Sequence, residues 1–215
     1  MFSLFFQQPL IFFAWTLAFL LALSVHEFSH ALVGTLLGDP TAKRMGRLTL
    51  NPAAHVDLLG LLAVMLIGFG WGKPVQYNPY NLRWPKWGPA AIAAAGPGSN
   101  LLFALVSISL LAIFGPRLGM NNLLVIFLLT SAQLNIALMA FNLIPLPPLD
   151  GSKALLAALS HPRYAATCLF IETKGPMLLL LLILADSVLR LGLFSALFSV
   201  AIKFVTTLVG LPRIL

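Results

Sequence analysis

The sequence predicts an all-α polytopic membrane protein made of one domain over residues 1–215, and three observations carry that expectation. Of its 215 residues, 60% are hydrophobic and only 9% are charged, against roughly 45–50% and about 25% in a soluble domain. Several charge-free runs exceed the ~20 residues that a helix needs to cross the hydrocarbon core. The 13 Lys and Arg outnumber the 6 Asp and Glu, and in so apolar a chain that excess sets membrane orientation rather than gripping nucleic acid. An ordinary cytosolic globule, a disordered chain and a nucleic-acid module are thereby excluded. Cys168 is the single cysteine, which excludes an internal disulfide framework and any multi-cysteine metal site.

The elements follow in chain order. Met1 to Val25 is uncharged, and its apolar pattern continues through Val33. It lacks the basic flank of a signal peptide, so it reads as a retained core helix over about residues 10–37. Asp39–Pro52 contains a Met-Gly turn followed by alternating Arg-Leu-Thr-Leu, the pattern of a small β-hairpin at the membrane surface. Leu58–Gly72 is also uncharged, but it is too short to span and reads as a re-entrant segment. Trp87–Pro116 and Leu118–Leu149 supply two further core helices, about 90–114 and 122–144, parted by Arg117. Gly175–Pro212, interrupted by Asp186, Arg190 and Lys203, has room for one long tilted C-terminal helix or a tight pair. Asp186 and Arg190 stand four apart, the spacing of an ion pair on one helix face.

Loop charges orient these spans. Lys43, Arg44, Arg47, Lys73, Arg83 and Lys86 precede the second core helix, and Lys153, Arg163 and Lys174 follow the third. Arg117 alone marks the turn between them. Positive-inside logic puts the first two groups in the cytoplasm and the Arg117 turn outside. That holds only if Leu58–Gly72 leaves on the side it enters.

The chemistry concentrates near the cytoplasmic end of the first helix, in His26-Glu27-Phe28-Ser29-His30. Residues four apart share a helix face, so both imidazoles can reach one metal ion. Glu27 lies about 100° round the helix, where it can reach a water on that metal without being a ligand. Zinc lowers the pKa of such a water toward about 7, and the carboxylate can move its proton to a leaving amine. Ionisable groups inside a span are costly, and three within five residues of an uncharged helix mark function.

A catalytic zinc normally has three protein ligands, and HExxH supplies two. The remaining acids are Asp39, Asp57, Asp150, Glu172 and Asp186, and the remaining histidines are His55 and His161. Asp150 is the best placed, because it follows a span that returns to the side of His30. Pro145, Pro147 and Pro148 end regular helix just before it. The competing reading of Asp150-Gly151 is a plain N-cap for a helix over 152–159. His55 and Asp57 read as a polar anchor for the re-entrant segment, since two ligands do not make a metal site.

His26-Glu27-Phe28-Ser29-His30, together with Asn142-Leu143-Ile144-Pro145-Leu146-Pro147-Pro148-Leu149-Asp150-Gly151, resembles the site-2 protease family of intramembrane zinc metalloproteases. Gly96-Pro97-Gly98-Ser99-Asn100 is similar to the family's Gly-Pro-x-x-Asn element. Gly38–Ala42, Gly46–Pro52, His55-x-Asp57 and Trp71–Val75 resemble its compact prokaryotic branch, which has no PDZ or CBS domain. The resemblance implies one zinc held by His26, His30 and Asp150, with Glu27 activating the water. It implies that Asn142 holds the substrate backbone or the developing oxyanion, with Asn100 lining the same cleft. It further implies a prokaryotic plasma-membrane enzyme that cuts transmembrane segments of other proteins within the bilayer, near the cytoplasmic face. Substrate identity and oligomeric state are not specified by the residues.

Three other classes compete. A transporter could use His26, Glu27, His30 and Asp150 as an ion path, but the two related halves of many transporters do not occur. A di-iron oxygenase of the histidine-box kind needs more than the 4 histidines present. A non-catalytic relative would have lost part of the machinery, whereas every residue is in place.

Overall fold

The computed structural model describes residues 6–67 and 70–210. Gly68 and Phe69 of the expected re-entrant segment, and Leu211 and Pro212 of the expected C-terminal run, lie outside the described residues. Helix α1 is Pro9–Leu36, α2 is the single turn Thr41–Arg44 and α3 is Leu58–Ile67. After these come α4 (Gly88–Leu118), α5 (Leu123–Asn142), α6 (Gly151–Ala158), α7 (Ala165–Leu189) and α8 (Leu193–Leu208). α1, α4, α5 and a stretch comprising α7 are each long and apolar enough to cross a membrane. Leu17, Leu102, Leu180, Leu184 and Val188 expose half or more of their surface, as side chains facing lipid do. This is an all-α membrane protein.

α1, α4 and α5 pack on one another to form the core. Ala18, Ala22, Ala104 and Ala132 have no exposed surface. Lipid tails remove the hydrophobic drive between helices, so small residues that admit close van der Waals contact take over. Ala104 and Ile108 of α4 and Ala132, Ile136 and Ala140 of α5 close around Ala201 and Val205 of α8. Pro89 lies in the first turn of α4, and Gly119 at φ 76° ends that helix. α4 therefore runs four residues past the expected 114, through Pro116 and Arg117. Arg117 falls in the last turn, where a cation meets the negative end of the helix dipole. Asn122 starts α5 by accepting the N–H of Leu124 at 2.9 Å.

Two expectations are corrected. Asp39–Pro52 forms no hairpin, and among the described residues there is no strand. Asp39 Oδ1 accepts the N–H and hydroxyl of Thr41 at 3.2 and 2.6 Å, which turns the backbone into α2. Asn51 likewise takes the N–H of Ala53 and starts a 3₁₀ turn over Pro52–Ala54. These local side-chain acceptors outcompete strand pairing. The β contact that does occur is a single antiparallel bridge between Val56 and Gly72. It joins the two flanks of α3, and Lys73 N–H donates to His55 O at 2.8 Å beside it. α3 itself has 10 residues, begun by Asp57 Oδ1 accepting Gly60 N–H at 2.8 Å.

The second correction concerns Asp186. It makes no ion pair with Arg190; its oxygens accept the N–H groups of Leu193 and Phe194 at 2.7 and 3.4 Å. A helix N-terminus offers fixed unpaired donors, and Arg190 (φ 52°) and Gly192 (φ 72°) bend the chain so that Asp186 meets them. The C-terminal stretch is thus a tight pair of helices, and the first of them begins at Ala165 rather than near 175.

The segment between α1 and α4 is organised by Asp39, which is 1% exposed. Besides Thr41 it accepts Asn78 N–H at 2.7 Å and Asn81 Nδ2 at 2.9 Å. Arg47 reaches across to the carbonyls of Lys73 and Pro74 at 3.0 and 3.1 Å. Burial alone would raise the Asp39 pKa, but the donors from Asn81, Thr41 and Asn78 together hold it below the ordinary carboxylate value. A depressed folded-state pKa means that this stabilisation is complete at neutral pH. It fades as pH falls below the unfolded-state value and is gone below the depressed one. Asp39→Ala leaves several buried donors unpaired and should cost roughly 1–3 kcal/mol. Thermal unfolding in detergent at pH 7 should fall for the variant, and its gap from wild type should shrink as the pH drops toward 3 or so.

Candidate metal centre

His26 and His30 sit on the inward face of α1, one turn apart, with ring centroids 4.6 Å apart and planes at 90°. Both are buried, as is Glu27. Asp150 arrives from the segment that follows α5. α5 stops at Asn142, and the Pro145–Pro148 stretch cannot continue it. The chain folds back through turns and puts Asp150 at the N-cap position of α6, yet its carboxylate makes no cap hydrogen bond. Instead Oδ2 lies 3.2 Å from His26 Nε2 and 3.3 Å from His30 Nε2. The capping alternative is thereby excluded. Gly151 is required at the following position, where a Cβ would overlap the carbonyls of Leu143 and Ile144 at the end of α5.

The outer nitrogens of the two rings are also engaged. His30 Nδ1 lies 2.7 Å from the carbonyl of Ile92 in α4. A carbonyl can only accept, so Nδ1 carries the proton and Nε2 presents a lone pair. Pro97 has no N–H for the Ala93 carbonyl and opens the α4 ladder one residue from Ile92. His26 Nδ1 lies 2.5 Å from Asn100 Oδ1. α4 approaches this closely because residue 96 is glycine. A Cβ there would come within 2.5 Å of both imidazoles.

The three inward atoms fit a divalent cation. His26, His30 and Asp150 lie with their ligand atoms within 4.8 Å of one another. Asp150 Oδ2 is buried and has no hydrogen-bond donor. Ligands about 2.0–2.2 Å from a tetrahedral zinc stand roughly 3.3–3.6 Å apart, close to the measured Asp–His separations.

These groups end a cavity of about 880 Å³. Its walls are mostly apolar: Leu23 of α1, Leu138 of α5, Leu179 and Ile183 of α7, and Phe194 and Phe198 of α8. Glu27, Asn142, Lys153 and the extended segment around Pro74 also line it. Asn142 Nδ2 donates to Leu138 O at 3.0 Å, which fixes the amide and leaves its second N–H uncommitted. Asn100 departs from expectation. It has no exposed surface and lies behind His26 rather than along the cavity, because its amide is spent on His26, Ala22 and Asn135. His55 and Asp57 stay outside the cluster. His55 Nε2 bonds Thr49 O at 2.7 Å, while Asp57 starts α3.

Sequence reading missed Asn135, which bonds Asn100 at 2.7 Å. The available signal was an amide in the middle of an apolar span, two helical turns before Asn142. It also missed Lys153, which follows Asp150 by one turn in the cavity wall.

Comparison with known proteins places these residues among relatives. The Bacillus subtilis (strain 168) protein named "Putative zinc metalloprotease YwhC" is 34% identical over 203 residues, covering 83% of this chain and 90% of that protein. "Putative zinc metalloprotease Rip2" of Mycolicibacterium smegmatis is 31% identical over 141 residues, covering 63% of this chain and 53% of that protein. The Rip2 of Mycobacterium tuberculosis (strain H37Rv) is 32% identical over 143 residues with the same coverage, 63% and 53%. The chain thus spans about half the length of the Rip2 proteins. No family model and no solved structure matches it.

Gly96 offers a controlled test of the site. Gly96→Ala should displace both imidazoles and abolish retention of zinc on dialysis. Gly98→Ala, whose Cβ meets nothing within 4 Å, should bind zinc as wild type does and be slightly more stable, by about 0.5–1 kcal/mol. Metal content and melting temperature of the two variants, measured side by side, check this.

Proposed function

This chain belongs to the site-2 protease family of zinc metalloproteases, and from that premise we propose that it is an intramembrane zinc endopeptidase acting on transmembrane segments of other proteins. The observation that carries the proposal is the meeting of His26 Nε2, His30 Nε2 and Asp150 Oδ2, beside Glu27, at the end of a largely apolar cavity. An apolar cavity suits a hydrophobic peptide segment, and its polar end supplies the hydrolytic groups.

Bound zinc would supply Lewis acidity, polarising the scissile carbonyl and making water a nucleophile at neutral pH. His26, His30 and Asp150 are the residues to hold it. Glu27 takes the proton from the attacking water and returns it to the leaving nitrogen, the two halves of general acid–base catalysis. Its carboxylate has no hydrogen-bond partner among the described residues, so it is not committed elsewhere. Asn142 offers its second N–H to the substrate backbone or the developing oxyanion. The apolar walls exclude bulk water, which strengthens these polar interactions.

We assign the site to the cytoplasmic side of a prokaryotic plasma membrane, a reading supported by the basic residues of the 43–86 and 153–174 segments and by the bacterial relatives. In this arrangement α3 enters and leaves on one face, which its short length and the bridge between its flanks support. Cysteines at Met45 and Tyr80, both exposed, should label from the cytoplasm, and one at Asn121 only from outside. Labelling of 45 and 80 from opposite faces would mean that α3 and its neighbours cross the bilayer.

The decisive experiment compares purified wild type with Glu27→Gln on single-span substrates. Cleavage should fall by about 10²–10⁴, while the zinc content of the two proteins stays equal. Loss of zinc in Glu27→Gln would instead make Glu27 a ligand and invert the roles. In the same assay Asp150→Asn should lose zinc, whereas Asn142→Ala should keep it and turn over about 10²–10³ more slowly.

A further inference from the structure

We propose that Asn135 of α5 is a positioning residue that fixes, through Asn100, the ring tautomer of His26 in the form able to bind a metal. The inference rests on the zinc reading above and adds a residue on a third helix to the centre.

Four polar groups form an unbroken chain. Asn135 Nδ2 donates to the carbonyl of Ser131 at 2.8 Å. Asn135 Oδ1 faces Asn100 Nδ2 at 2.7 Å, and Asn100 Oδ1 faces His26 Nδ1 at 2.5 Å. Asn100 and Asn135 have no exposed surface, so no solvent competes.

The chain has a direction because one end is a backbone carbonyl, which can only accept. Asn135 must therefore turn its NH₂ to Ser131 and its oxygen to Asn100. Asn100 must then donate to Asn135 and turn its own oxygen to His26. His26 Nδ1 is left facing an acceptor, so it carries the ring proton and Nε2 is bare. That lone pair is the one directed at Asp150. An amide turned the other way would present N–H to Nδ1 and drive the proton onto Nε2, blocking the metal. The Ala22 carbonyl also accepts from Asn100 Nδ2, but at 3.4 Å it holds the amide more weakly than Asn135 does at 2.7 Å. His30 needs no such relay, because the Ile92 carbonyl contacts it directly.

The test reads the ring directly. In zinc-free wild type, ¹⁵N spectra of labelled histidine should give His26 as the Nδ1–H tautomer. Asn135→Leu keeps the volume but releases the Asn100 amide. It should populate the Nε2–H form and weaken zinc binding about 10–100-fold in chelator competition, the usual effect of a lost outer partner. Adding Asn100→Asp to Asn135→Leu should restore both the tautomer and most of the affinity, since a carboxylate accepts from Nδ1–H in either orientation. A packing role alone would not be rescued in this way. Asn135→Ser, too short to reach Asn100, is read identically should the leucine variant not fold.

An Nε2–H ring in wild type overturns the proposal. So does Asn135→Leu with unchanged tautomer and affinity, or a double variant with no recovery. Failure of the zinc reading itself would look different: wild type would bind no zinc, while the tautomer could still be measured.

Discussion

Everything in this structure depends on one constraint: His26 Nε2, His30 Nε2 and Asp150 Oδ2 converge on one buried place. The Ile92 carbonyl engages His30 from behind at Nδ1, which turns Nε2 toward the buried Asp150 oxygen. Buried charge and unpaired acceptors are expensive, and a cation among the three atoms would offset that cost. The rest of the fold holds them together. α1 carries two of the atoms, the prolines after α5 turn the third inward, and α4 braces the imidazoles from behind. Metal binding and the final packing of the three core helices are therefore coupled.

Membrane character and the approximate limits of the core helices were legible because the bilayer imposes a length and a polarity that composition reports directly. The pairing of His26 with His30 was legible because helical geometry is periodic. Asp150 could be picked out because proline tells where a helix must stop, even without telling how the chain returns. The errors are equally physical. Arg-Leu-Thr-Leu alternates like a strand, but Asp39 and Asn51 offer local acceptors that turn the backbone first. Asp186 and Arg190 have the spacing of an ion pair, but spacing does not disclose that a second helix begins close enough to claim the carboxylate.

Asn100 and Asn135 were illegible for a different reason. Asn100 was expected along the cleft, but an amide in a span can face a cavity or a neighbouring helix, and one-dimensional pattern does not distinguish them. Only the crossing of α1, α4 and α5 decides which polar groups meet. The Ile92 carbonyl is harder still, because a backbone atom leaves no letter in the sequence.

The glycine at position 96 has a mechanical consequence. Two helices in a bilayer approach only as closely as the side chains between them allow. Here the point of contact between α1 and α4 is set by a missing side chain, and the imidazoles occupy the space it leaves. The spacing of the centre therefore depends on position 96 carrying no side chain.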